Sequence, residues 1–128
     1  MAIKVRRESR ERRTSGTITF PIVGSDAGNT IDFMGIAGGF RILDVNITVE
    51  EAFDAAGNTI EVGIEDDTDM FVPATAMNEV KGIGFNNFQY TAPKSMAIVC
   101  DVKGTASTAG KATITVVYAK QAEARQEY

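Results

Sequence analysis

Histidine and tryptophan are missing from the 128 residues, and cysteine occurs once, at Cys100. Without histidine there is no Ser-His-Asp or Cys-His nucleophile system, no histidine zinc site, and no imidazole base working near neutral pH. One cysteine can neither close an internal disulfide nor build a thiolate zinc centre. It falls in the apolar run 96–100, where it reads as a small buried hydrophobe rather than a reactive thiol. Without tryptophan, a sugar-stacking platform would need Tyr90, Tyr118 and phenylalanines. No apolar run approaches the roughly 20 residues that span a bilayer. The N-terminus is positive but has no apolar stretch behind it, so no secretory signal is expected, and the chain suits a reducing interior at synthesis.

Charge, by contrast, is present and unevenly placed. Residues 1–13 hold six basic groups, Lys4, Arg6, Arg7, Arg10, Arg12 and Arg13, against two acidic ones, a net +4. The other 115 residues hold seven basic and fifteen acidic groups, a net −8. A basic arm on an acidic body serves to bind something acidic outside its own domain. Six cations suffice for phosphate contacts, but the acidic body would repel a nucleic-acid backbone, and no aromatics interleave for base stacking. An acidic protein surface is the expected target, with no nucleic acid and no membrane as partner. The chain therefore divides into an arm (1–13), one body (14–119) and a polar tail (120–128), a length that suits a single core.

The body reads as strands. Over 41–50, Leu43, Val45, Ile47 and Val49 alternate with Asp44, Asn46, Thr48 and Glu50, the period-two pattern of a half-buried antiparallel strand. Residues 59–64 repeat it with Ile60, Val62 and Ile64, and the turn at 55–58 suggests a hairpin joining the two. Residues 17–22 alternate as well, and Pro21 places them at a sheet edge. Residues 112–118 are β-branched and make the last strand. Shorter strands are expected near 29–34, 69–72, 83–90 and 96–103. Residues 74–80, after Pro73, lack alternation and read as a helical turn or short helix. About eight strands with regular glycine and Asn/Asp corners predict an all-β fold, an antiparallel β-sandwich best matched by an eight-stranded jelly roll with an extended N-terminal arm. An immunoglobulin-like sandwich is the alternative.

Few segments invite chemistry. Glu65, Asp66, Asp67 and Asp69 form the densest acidic cluster, a candidate calcium loop by donor type but without EF-hand spacing. The plainer reading is a solvated turn, which could also receive a basic arm from a neighbouring copy. Residues 104–111 resemble a phosphate loop but fail on glycine spacing, on Ala112 where Ser or Thr should hold magnesium, and on the strand that follows. Gly35, Gly38 and Gly39 read as a sharp bend. The sequon 46–48 reads as chance, and Glu50, Glu51, Asp54 and Glu61 read as a solvated face rather than a glycosidase pair. No enzyme activity and no cofactor are expected.

The strand series 41–53, then 58–63, and the closing 109–118 resemble small structural proteins of tailed-bacteriophage virions, most closely the capsid decoration, or cement, class. The resemblance covers 16–119 as a pattern of strands and glycine corners and carries no catalytic motif. It implies a sandwich that binds the outside of an assembled head as a homodimer or homotrimer, after synthesis in the host bacterial cytoplasm. The major capsid protein would be the partner, and cross-bridged coat subunits would resist internal pressure. Lys4, Arg6, Arg7, Arg10, Arg12 and Arg13 would then contact the coat. The alternative is a carbohydrate-binding or adhesive fibre module in which Phe85, Phe88 and Tyr90 stack on sugar.

Overall fold

The computed structural model describes residues 3–5, 15–85 and 90–120. Ten strands occur among them and no α-helix. They are β1 (Ile3–Val5), β2 (Ser15–Val23), β3 (Asn29–Ile36), β4 (Phe40–Glu51), β5 (Thr59–Ile64), β6 (Asp67–Ala76), β7 (Lys81–Phe85), β8 (Tyr90–Thr91), β9 (Met96–Lys103) and β10 (Lys111–Lys120). One sheet runs β1-β3-β9-β5-β6; the other runs β2-β10-β4-β7, with β8 also on β4. Apart from the parallel β1, the chain passes back and forth between the sheets, save at the β5–β6 hairpin and the β7–β8 pair, in the strand order of a jelly roll, so the predicted fold is the observed one. Because β7 and β8 follow one another along β4, the expected strand 83–90 is a single sheet position in two pieces.

The core lies between the sheets and follows the alternation. Ile18, Phe20 and Ile22 of β2, Val45, Ile47 and Val49 of β4, and Ile114, Val116 and Tyr118 of β10 are buried on one side. Ile31, Phe33, Ile60, Val62, Ile98, Cys100 and Val102 are buried too, on the strands of the other sheet. Phe20 and Phe33 stack across the gap at 5.1 Å between ring centres. Pro21 sits on β2, an edge strand, as expected.

Three expectations are corrected. The segments 41–50 and 59–64 do not form a hairpin, because β4 and β5 belong to different sheets. The chain crosses the end of the sandwich at 52–58, with Phe53 buried and Gly57 in the left-handed region at φ 76°. Leu43 is not on the inward face; Ile42 is. β10 pairs Val117 with Asp44 and then Tyr118 with Ile42, so Leu43 is the extra residue of a β-bulge that flips the phase. Residues 74–80 are not helical. β6 runs through Pro73 to Ala76, pairing Thr75 with Ile60, an arrangement an edge strand tolerates. Met77 is then buried with its N–H on the Asn58 carbonyl at 3.1 Å.

Topology sorts the features by place. β2 leads directly into β3, and β1 lies outside β3, so β1 and β2 share one flank. β6 and β7 touch along the other. The basic stretch of the sequence lies between β1 and β2 in the chain, while the acidic hairpin joins β5 to β6 across the sheet.

Candidate functional site

The predicted contact residues divide by what is described. Lys4 lies in β1, whose backbone pairs in parallel with β3, Lys4 opposite Ile31. Arg6, Arg7, Arg10, Arg12 and Arg13 lie outside the described residues, as does the tail from 121 onward. A strand therefore precedes this basic run as well as following it. Phe88 is outside the described residues, and of Phe85 only the backbone is described, paired with Val45. Tyr90 is turned into the protein: its ring meets Phe71 edge-on at 5.6 Å and its hydroxyl lies 3.5 Å from Met96 Sδ.

The acidic cluster is a bulged hairpin tip. Ile64 pairs with Asp67 around the two-residue turn 65–66, and the next pairs are out of step. The extra residues of β6 fold over the outer face of the sheet. They come so close to Gly63 that an added Cβ would lie 2.7 Å from Met70 N. Glu61, at an outward position of β5, is covered in consequence and is only 6% exposed. Its carboxylate accepts from the Thr68 hydroxyl and meets Lys103 Nζ at 3.5 Å, which also reaches Asp101 at 4.0 Å. At the tip, Glu65, Asp66, Asp67 and Asp69 are exposed. A hydrogen bond with Asp69 pushes the Asp67 carboxyl above its ordinary value, aided by desolvation and by repulsion from Asp69 and Glu61. Among the described residues no three acidic or thiol groups converge as a metal site. Beside the tip is an open cavity of about 230 Å³, with Ile64, Glu65 and Asp66 on one wall and residues 94–97 on the other.

The opposite end of the sandwich is tied together by polar groups that the sequence did not single out as a unit. Asp54 N–H donates to Ser107 Oγ at 2.7 Å, and the Ser107 hydroxyl donates back to the Asp54 carboxylate. Thr108 Oγ1 donates to Asp54 Oδ2 at 2.7 Å, and the amides of Thr108 and Ala109 reach Oδ1 at 3.1 and 3.4 Å. These bonds, Ser107's foremost, lower the Asp54 carboxyl to about 2. Asn58 caps its own turn by accepting from Ala55 N–H, and donates to the carbonyls of Lys103 and Thr105. Asp54 is therefore not the free solvated carboxylate that its turn position suggested. The available sequence signal was a Ser-Thr pair beside two glycines, read only as a loop.

Neither a family model nor any curated protein matches the sequence. Solved structures do. A chain of the acid-stable capsid structure of Helicobacter pylori bacteriophage KHP30 superimposes with a TM-score of 0.70 at 17% identity, over 91% of this chain and 95% of that one. A chain of the Ralstonia phage GP4 capsid gives 0.67 at 15% identity, over 95% and 100%. One in the cyanophage Pam1 capsid asymmetric unit gives 0.55 at 14%, over 87% and 89%. At these identities the likeness is one of fold, and it extends over nearly the whole of each chain.

Proposed function

We propose that this chain is a non-enzymatic structural protein of a tailed-phage virion that attaches to the outside of the shell and cross-bridges coat subunits. One observation carries the reading. The three similar chains all belong to phage capsids, and each is nearly used up by the match, so each is a small jelly roll of about this size rather than a domain of a larger protein. The charge asymmetry of the sequence supports the mode of attachment. The cations at 6, 7, 10, 12 and 13 follow in sequence a strand seated on β3. This basic run would dock on an acidic coat surface, and several copies around a symmetry axis would add avidity.

The separation of charge also supports self-association. The acidic tip is on the sheet side away from β1 and β2, and the basic run of one copy would meet the acidic tip of the next. Heterologous contacts of this kind give a ring, such as a trimer, when the rotation between copies closes, whereas a dimer would need a self-complementary face. The packing of Tyr90 against Phe71 and Met96 lends nothing to a sugar-stacking role. The proposal is tested by co-sedimenting the full chain, and a chain lacking residues 1–13, with purified coat-protein shells. The full chain should pellet and the shortened one, still a folded β protein, should not. Equal pelleting of both would overturn the role of the basic run.

A further inference from the structure

The segment that fails as a nucleotide loop nevertheless holds an anion, and the anion is the chain's own. Two hydroxyls, of Ser107 and Thr108, and two amides, of Thr108 and Ala109, point at the Asp54 carboxylate. The next amide, of Gly110, points at Glu51 Oε1 at 3.4 Å. Successive N–H groups turned to one side make a concavity for oxyanions. Ser107 is only 7% exposed, so its hydroxyl is fixed within the site. Its own N–H donates to the Gly24 carbonyl at 3.0 Å, and Gly24 N–H donates to the Gly110 carbonyl at 3.2 Å. A Cβ on Gly24 would lie 2.7 Å from the Ala109 carbonyl oxygen, so the turn after β2 is pressed onto the same segment.

We infer that residues 107–110 form an oxyanion-binding nest kept filled by Asp54, and that this internal ligand fastens three connections at one end of the sandwich. The nest takes a carboxylate, and a small free carboxylate should replace the side chain when it is removed. The donors just named are uncharged. Of the charged groups on the elements packed here, Glu51 takes the last amide of the nest, Gly110 N–H, while the others are engaged elsewhere: Glu50 with the Thr113 hydroxyl, Asp26 with Val23 N–H, and Lys103 with Glu61. Lys111, which follows the nest, is exposed.

Thermal unfolding of the full chain carrying Asp54→Ala tests this, in formate and in chloride at equal ionic strength. The variant should melt several degrees below the parent in chloride. Formate should recover most of that loss, leave the parent unchanged, and fail when Ser107→Ala is added. No loss on removing Asp54, or equal melting in the two salts, overturns the inference. If Asp54→Ala does not fold, the parent protein decides the matter through the NMR titration of the Asp54 carboxyl carbon. A midpoint near 2 is expected, and one at the ordinary 3.8 overturns the nest.

Discussion

The ring of Phe53 lies against the bare backbone of Gly110, so close that a Cβ there would be 2.6 Å from Cγ. Gly110 also has φ 132°, a conformation L side chains rarely adopt. Phe53 is the residue that leaves β4 and closes the core between the sheets, 2% exposed. Gly110→Ala should therefore cost about 2 kcal/mol or more, from overpacking and backbone strain together. Denaturant unfolding of the variant checks this. An unchanged midpoint would show that Phe53 can move aside.

Asp67 gives a pH dependence of known sign. Its folded value is raised, so the folded state holds the proton more tightly than the unfolded chain does. Ionising it as the pH rises through its raised value weakens the fold, and protonating it as the pH falls removes that penalty. Asp67→Asn keeps a hydrogen-bond donor toward Asp69 and removes the charge. It should raise the melting temperature slightly at neutral pH, with the gain shrinking in acid. A constant gain at every pH would contradict the assignment.

Asp54 has the opposite sign. Its lowered value means a contribution present above about 3.8 and lost as the pH falls toward about 2. The difference in melting temperature between the parent and Asp54→Asn should be constant from neutrality to mild acid and vanish near the bottom of that range. A difference that persists in full there would argue for a steric role.

Lys103 and Glu61 differ in exposure, 53% against 8% at the side chain, and so should differ on truncation. Lys103→Ala should cost at most about 1 kcal/mol, as for other exposed ion pairs. Glu61→Ala should cost more, because it also removes the acceptor of the Thr68 hydroxyl under the folded-over β6. Equal effects would place the whole interaction in the ion pair.

Cys100 lies in the core on β9, fully buried. A thiol reagent should label it only on the timescale of unfolding, and immediately in denaturant. Rapid labelling of the native protein would mean that β9 opens locally.

Residues that answer to local pattern were legible in the sequence. Val45, Ile47 and Val49 face the core, and Pro21 marks an edge, because both follow from side-chain alternation and the missing amide of proline. Where pairing with a distant strand decides, the pattern failed. Leu43 gives way to Ile42 because β10 imposes a bulge, and 74–80 is extended because β5 supplies the hydrogen bonds. Glu61 looked solvated since nothing near it announces that β6 folds over; Gly63 alone hinted that a backbone comes close. The Asp54 nest joins residues more than 50 apart in sequence, so neither half was readable without the fold. The basic run was visible in composition at once, whereas its bracketing by β1 was not, since three residues are too few to show a period.

We propose that the protein attaches to the outside of a phage shell. The most direct measurement is a titration of the full chain onto coat-protein shells lacking it, followed by electron cryomicroscopy of the saturated particles. Saturation at a fixed number of copies per shell, with added density on the outer surface bridging neighbouring subunits, is the predicted result. Shells that stay bare at saturating protein, or density confined to the interior, would contradict it.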